Sequence, residues 1–280
     1  MATGPGATLR LGGYVKISSL NTELLHKVYQ MKQAGVIMNQ KILDRICCIA
    51  LIGWFLWAVQ LFCSAGEEDA DVAKSAQAMN RTDAVVVIDA GHGGMDPGKV
   101  GVSGVAEKEI NLAVAKILKD LLEQNGITVV MTRTEDGGLY HENDGNKKQS
   151  DMKERIRILK ETAPIVAVSI HQNSFTDSQS RGAQVFYYGD SAEGERGAQM
   201  IQETLRTELA DGNHRTAKAN TSYYMLKRSP CPLVIVECGF LSNPEEERLL
   251  QEEEYQRKVA WAVHLGVIQW LTAMEKEGGY

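Results

Sequence analysis

Two histidines at the ends of β-branched apolar runs point to metal-assisted chemistry. His92 lies in a glycine-rich loop after the run at 85–88, and His171 follows the run at 165–170. Imidazole is the commonest zinc ligand, and a catalytic zinc takes three protein ligands and leaves a fourth position for water. Glu107 begins the helical pattern after the loop and can supply a carboxylate ligand. These three residues form a candidate metal site, and a structural role for the histidines is the alternative.

A phosphate-binding loop is a second interpretation of the same glycine-rich stretch. Gly93, Gly98 and Lys99 fit the spacing G-x-x-x-x-G-K after a strand. However, Val100 stands where a serine or threonine hydroxyl would hold magnesium, and Pro97 removes one of the backbone N–H donors of a phosphate cradle. The stretch therefore favours a metal ligand over a nucleotide site.

Strand and helix patterns alternate along the part of the chain that must position these residues. Strand patterns occupy 85–88, 127–133, 165–170, 183–188 and 233–236, and helical patterns occupy 107–124, 151–161, 192–209 and 246–274. This alternation predicts a single α/β domain with a twisted, largely parallel sheet flanked by helices, and open α/β sheets place their chemistry at strand ends. The polar insert at 135–150 is predicted to be a loop or a mobile lid.

Charge and cysteine content exclude some classes of function and fold for this chain. The chain has 280 residues, a formal charge of -6 and no lysine- or arginine-rich block, so a nucleic-acid surface is not expected. Its five cysteines do not form the pattern of a disulfide framework, and they leave the redox compartment undecided.

The N-terminal quarter is predicted to be a targeting segment. Residues 46–62 form an apolar run interrupted only by Gln60, with Lys41 and Arg45 before it and acidic residues after it. The length fits a short membrane span or the core of a signal peptide, and the charge asymmetry directs the C-terminal bulk outward. A retained single-span anchor is favoured over cleavage. The expected location is extracytoplasmic, either membrane-anchored or secreted.

The predicted organisation has four parts. They are an N-terminal extension at 1–37 that an alternative start at Met38 would remove, a signal peptide or anchor at 38–64, a polar linker at 65–83, and a catalytic domain at 84–276.

Motifs spread along the chain resemble those of the zinc-dependent N-acetylmuramoyl-L-alanine amidases, which cleave peptidoglycan. They read GHGG, GVAEKEINL, SIHQNS and VECGFLSNPEE, in the order and spacing of that family. The stretch GAQVFYYGDSAEGERGAQMIQETLR and the short anchored N-terminus are similar to the germination-specific subgroup of endospore-forming bacteria. The resemblance runs from about Val85 to the end of the last predicted helix.

The resemblance implies a ligand set and a catalytic residue. The zinc ligands of the family fall on His92, Glu107 and His171, with one zinc per domain, and its essential glutamate falls on Glu237. Glu109 competes with Glu107 for the metal, and Glu107 is favoured because it aligns with the glutamate of the family's E-K pair. Glu237 follows a buried strand, where desolvation raises the pKa of a carboxyl group and suits it to proton transfer.

The implied reaction is hydrolysis of the amide bond between N-acetylmuramic acid and the L-alanine of the stem peptide. Peptidoglycan is then the substrate, the N-terminal segment contacts the membrane, and an activating protein is an expected partner. A role in the spore cortex would place the enzyme in the forespore intermembrane space. The alternatives are an amidase of vegetative wall turnover or cell separation, and a non-catalytic descendant that binds the wall.

Five further residues are candidates for supporting roles. Asp89 and Asp96 can orient the His92 loop as hydrogen-bond acceptors behind the ligands, or be solvated turn residues. Asn173, Arg133 and Arg155 can contact the glycan or peptide carboxylates, and salt bridges are the alternative for the two arginines.

Overall fold

A mixed sheet of six strands is the centre of the computed structural model, which describes residues 26–27 and 84–278. The strands are β1 (Val85–Ala90), β2 (Thr128–Met131), β3 (Val166–Asn173), β4 (Gln184–Tyr187), β5 (Lys218–Ala219) and β6 (Leu233–Phe240). Their order across the sheet is β2-β1-β3-β6-β4-β5, and only the β4–β6 pair is antiparallel among these strands. The sheet is therefore mostly parallel, as the strand and helix alternation predicts.

Helices cover both faces of this sheet. They are α1 (Glu107–Gln124), α2 (Lys147–Thr162), α3 (Ala192–Leu209), α4 (Tyr224–Arg228), α5 (Pro244–Leu250) and α6 (Glu253–Lys276). On one face α6 packs against both α1 and α3, and on the other α2 packs against α4. This arrangement confirms the predicted α/β class with flanking helices.

Alternating side chains along the central strands divide the core into two layers. In β1, Val86 and Ile88 belong to the larger apolar cluster beneath α1, α3 and α6, whereas Val87 belongs to the smaller cluster beneath α2 and α4. Successive side chains of a strand point to opposite faces, so a strand covered on both faces needs a continuous apolar run. Most polar residues of the central strands lie towards their carboxyl ends, as Asp89 does in β1 and His171 does in β3.

The helix predicted at 246–274 is two helices. The side chain of Asn243 accepts hydrogen bonds from the first turn of α5, and Pro244 occupies a first-turn position where its missing N–H costs nothing. Glu252 then adopts an extended backbone (φ -83°, ψ 126°) between α5 and α6. The apolar periodicity does not reveal this break, because both helices bury residues against the same core.

The polar insert is shorter than predicted, since α2 begins at Lys147 instead of Asp151. The side chain of Asn146 accepts a hydrogen bond from the Gln149 N–H, which is a helix cap that adds one turn. The short elements β5 and α4 were not predicted, because two and five residues are too few to show a period.

The N-terminal predictions concern a separate part of the chain. Every element above belongs to one compact unit, Ser75–Tyr280. The extension at 1–37 (apart from residues 26–27), the anchor at 38–64 and the linker at 65–83 lie outside the described residues. Within the described residues, no helix has both the length and the apolar character required to span a bilayer.

Candidate active site

His92 is held in an unusual backbone conformation by the turn after β1. Its φ of 62° lies in the left-handed region that side chains other than glycine rarely adopt. Paired backbone hydrogen bonds between Gly93 and Asp96, of 3.0 and 3.2 Å, close the turn. Nδ1 of His92 lies 3.0 Å from Oδ2 of Asp96, and its Nε2 lies 3.2 Å from Oε2 of Glu107. The turn and Asp96 thus aim Nε2 at Glu107.

Glu107 is a buried carboxylate at the first position of α1. Its Oε1 lies 3.0 Å from Nδ1 of His171 and accepts the backbone N–H of Gln172 at 3.0 Å. Its Oε2 accepts the backbone N–H of Lys99 at 2.8 Å. Burial would raise the pKa of Glu107, but hydrogen bonds to His171 and His92 hold it well below its usual value. The carboxylate is therefore ionised and oriented.

The structure brings His92, Glu107 and His171 together as a possible metal site. One potential ligand atom from each lies within 4.8 Å of the others. Two imidazoles and one carboxylate are the donors of several catalytic zinc sites, so these residues fit the metal that the sequence implies. Glu109, the competing carboxylate, is exposed instead.

Glycine in the loop makes room for this convergence. A Cβ atom on Gly91 would lie 2.3 Å from Cε1 of His171, and one on Gly98 would lie 2.5 Å from Oε2 of Glu107. Gly98 also has a φ of +71°. The glycine-rich composition is thus needed for the close approach of the three candidate ligands.

Glu237 lies in β6 directly opposite His171 in β3. Only 8% of it is exposed, and its Oε2 has no hydrogen-bond partner among the described residues. Burial raises the pKa of Glu237 to about 7, and the charges of His171 and Glu107 act in opposite directions on it. A carboxyl group with this pKa can exchange a proton with water near neutral pH.

A cleft of about 480 Å³ contains His92, His171 and Glu237 in its lining. Its remaining walls include residues that the sequence did not single out, namely Tyr140, Lys147, Lys148, Tyr223, Tyr224 and Met225. They come from the polar insert, the first turn of α2 and the short helix α4. In the sequence, the adjacent tyrosines at 223 and 224 are the local signal for this part of the cleft wall.

Asp89 and Arg155 form a buried ion pair beneath the His92 loop. Nη1 of Arg155 donates to Oδ1 of Asp89 at 2.5 Å, and Nη2 donates to the backbone oxygen of His92 at 2.7 Å. Burial opposes the charge on Asp89, but Arg155 and the Ser169 hydroxyl lower its pKa to about 2. Asp89 therefore supports the loop through Arg155 instead of bonding the His92 ring.

The side chains of Arg133 and Asn173 form hydrogen bonds with backbone groups of the protein. Arg133 donates to the backbone oxygens of Ala90 and Gly91 at 2.9 and 3.0 Å. The side-chain oxygen of Asn173 accepts the N–H of the next residue at 2.8 Å, and Asn173 does not line the cleft. Substrate contact by these two residues and by Arg155 stays a prediction.

A buried glutamate from α5 also holds the loop and was not predicted to do so. Oε1 of Glu247 accepts the backbone N–H of Ser103 at 2.7 Å and its hydroxyl at 2.8 Å. From its residue types alone, the acidic run at 245–247 indicates only the start of a helix. The partner lies 144 residues away, so nothing local in the sequence indicates this bond.

The residues of this site lie within the region that known proteins match. The family model described as N-acetylmuramoyl-L-alanine amidase matches residues 86–269. The germination-specific N-acetylmuramoyl-L-alanine amidase of Bacillus subtilis is 36% identical over 191 residues, which cover 67% of this chain and 80% of that protein. AmiA of Escherichia coli, also an N-acetylmuramoyl-L-alanine amidase, is 28% identical over 229 residues, covering 66% of this chain and 75% of its own.

A solved structure shows the same fold. The CwlD amidase from Clostridioides difficile, in complex with the GerS lipoprotein, is 38% identical and has a TM-score of 0.66. The match covers 68% of this chain and 100% of that one.

Proposed function

Because this chain belongs to the N-acetylmuramoyl-L-alanine amidase family, we propose that it cleaves peptidoglycan with a zinc ion held by His92, Glu107 and His171. The scissile bond joins the lactyl group of N-acetylmuramic acid to the L-alanine of the stem peptide. The observation that carries this proposal is the convergence of three potential ligand atoms within 4.8 Å, beside a cleft that His92, His171 and Glu237 line.

The residues of the site have separable roles in this reaction. Zinc, when bound, supplies a Lewis acid that activates water and polarises the amide carbonyl. Glu107 contributes the negative charge of the ligand set, and Asp96 holds the His92 ring in place.

Glu237 carries the proton. It takes a proton from the attacking water as the new C–O bond forms, and it gives a proton to the alanine nitrogen as the C–N bond breaks. Burial raises the pKa of Glu237 to about 7 when no metal is bound, and the charge of a bound zinc would lower this pKa and favour the ionised base that the first transfer needs.

A role in the spore cortex is the finer part of the proposal. The likeness to a germination-specific amidase supports it, and removal of stem peptides would prepare muramic acid for lactam formation by a separate deacetylase. The complex of the CwlD amidase with a lipoprotein supports a protein partner for this chain too. We place the catalytic domain outside the cytoplasm, tethered or released by the N-terminal segment, and in the forespore intermembrane space if the role is sporulation.

Digestion of purified muropeptides tests the chemistry. The full chain with zinc is expected to release free stem peptide and peptide-less glycan, identified by mass spectrometry, and a chelator is expected to stop the release. Glu237→Gln and Glu107→Gln are expected to abolish it, whereas the exposed neighbour Glu109→Gln serves as the matched control. Wild-type turnover by Glu237→Gln with zinc bound would refute its role.

Deletion of the gene tests the biological role. Loss of muramic lactam from the cortex, with normal vegetative separation, is expected. Chained vegetative cells with an unaltered cortex would favour the vegetative alternative instead.

A further inference from the structure

One part of the cleft lining is cationic. Lys147 and Lys148 form the first turn of α2, and both line the cleft together with His92, His171 and Glu237. The net charge of the chain is -6, so positive charge at this position does not follow from overall composition.

Lys147 has no carboxylate within 4.0 Å of its ammonium group among residues 84–278. Its Nζ lies 3.5 Å from Sδ of Met95 and 5.4 Å from the centroid of the Tyr140 ring. By contrast, the ammonium group of Lys108 lies 2.6 Å from a carboxylate oxygen of Asp136. A thioether and an aromatic face position a cation without neutralising it. The ammonium group of Lys147 is therefore available to bind an anion that enters the cleft.

Lys148 brings a second cation near the candidate metal site. Oδ2 of Asp96 lies 3.4 Å from Nζ of Lys148 and 3.0 Å from Nδ1 of His92. One carboxylate oxygen thus separates this ammonium group from a candidate metal ligand. Through these two contacts, Nζ of Lys148 lies closer to Nδ1 of His92 than the length of about 7 Å that an extended peptide of two residues spans. A group on the second residue of the stem can therefore reach the start of α2.

Three of the four acidic groups in the described lining already have cationic or imidazole partners, and Glu237 is the exception. Asp89 and Asp151 both bond Arg155, and Asp96 bonds His92. None of these groups lies within 4.0 Å of the Lys147 ammonium group, and Asp144, just before α2, interacts with its charge only at longer range.

The chemistry of the substrate indicates which anion these lysines meet. Once its lactyl group is amidated, the glycan strand of peptidoglycan has no carboxylate on the muramic acid. The stem peptide has one immediately after L-alanine, where glutamate is linked through its γ-carboxyl and keeps a free α-carboxylate. In some walls this carboxylate is amidated and neutral.

We propose that Lys147, assisted by Lys148, binds the α-carboxylate of the γ-linked glutamate and selects stem peptides in which that group is free. This inference rests on the proposed amidase function and adds a specificity determinant to it. It also orients the substrate, with the departing peptide towards α2.

Two matched substrates test the inference. Both are muropeptides with a stem tripeptide, and they differ only in whether the glutamyl α-carboxyl is free or amidated. The full chain with zinc is expected to show a kcat/KM for the free acid that is roughly 10- to 100-fold higher, the range for a hydrogen bond to a charged group. Lys147→Gln is expected to bring this ratio close to one, and Lys147→Arg is expected to keep most of it.

Lysines elsewhere on α2 provide the control. Lys153 and Lys160 are exposed and do not line the cleft. Lys153→Gln and Lys160→Gln make the same change of charge and are expected to leave the substrate ratio at its wild-type value. A ratio that falls equally in these variants would show a general field effect and overturn the assignment to Lys147.

A binding measurement separates this inference from the amidase proposal. Fluorescence anisotropy with labelled tripeptides, free or amidated at the glutamate, measures selection without turnover. If the chain cleaves both muropeptides at equal kcat/KM and binds both peptides equally, the inference is wrong and the amidase function stands. If it binds the free acid preferentially but cleaves neither substrate, the lysine site stands and the amidase proposal fails.

Discussion

Replacing Glu237 with glutamine is expected to change how the free energy of unfolding depends on pH. The folded protein raises the pKa of this carboxyl from its usual 4.5 to about 7, mainly because the group is buried. As pH rises above 4.5, the unfolded chain loses this proton while the folded chain keeps it. This carboxyl group therefore makes a contribution to the free energy of unfolding that falls between about pH 4.5 and 7 and levels off above that.

The difference between these two pKa values corresponds to about 3 kcal/mol in the free energy of unfolding. Glutamine has nearly the same shape and does not titrate, so the variant lacks this loss. The unpartnered Oε2 atom indicates that the wild-type site does little to compensate the charge. The difference in stability between Glu237→Gln and wild type should thus grow by about 3 kcal/mol from pH 4.5 to 8, whatever offset the new amide introduces.

Urea unfolding followed by tryptophan fluorescence measures this difference at a series of pH values, with a chelator present throughout. The exposed Glu109→Gln is the control, and its stability should parallel that of wild type. With zinc added, the nearby positive charge favours the ionised form of Glu237, so the pH-dependent gain should shrink. Parallel stability curves for Glu237→Gln and wild type in chelator would show that burial does not perturb this carboxyl.

Three further substitutions test how the site is supported. Asp96→Asn removes the negative charge behind His92 and should weaken zinc affinity roughly 10- to 100-fold, measured by competition with a chromophoric chelator; an unchanged affinity would contradict the positioning role. Gly91→Ala places a Cβ atom 2.3 Å from the His171 ring, so it should cost about 1–3 kcal/mol in urea unfolding and also weaken zinc binding; wild-type values for both would show that the ring shifts freely. Asp89→Asn removes the more deeply buried of the two carboxylates that bond Arg155 and leaves Asp151 as its remaining partner, so it should cost up to about 3–5 kcal/mol at pH 7; a loss below 1 kcal/mol would mean that the Asp89–Arg155 pair contributes little.

The helices and strands that position the site could be predicted from the sequence because helices and strands differ in the spacing of their apolar residues. The predicted helices at 107–124 and 192–209 have the bounds of α1 and α3. Both carry a stripe of apolar residues at helical spacing, which is a local signal. The break at Glu252 was missed because it depends on one backbone conformation within a continuous apolar pattern.

The sequence identified the residues of the candidate site by different kinds of evidence. His92 and His171 stand out because each follows a β-branched apolar run and imidazole is the commonest zinc ligand, while Glu237 was identified through the family motif. Glu107 and Glu109 could not be separated by position alone, since both lie in the first turn of α1. Only the packed structure shows that one is buried between the histidines and the other is exposed.

The sequence by itself determined the α/β class, the mostly parallel sheet and the strand ends at which the chemistry lies. These features depend on patterns that repeat within a few residues. The tertiary structure alone decided that Arg155 supports the loop, that Glu247 anchors it, and that Lys147 faces the cleft. Each of these contacts joins residues 52 to 144 positions apart, so it exists only after the sheet has brought distant loops to one edge.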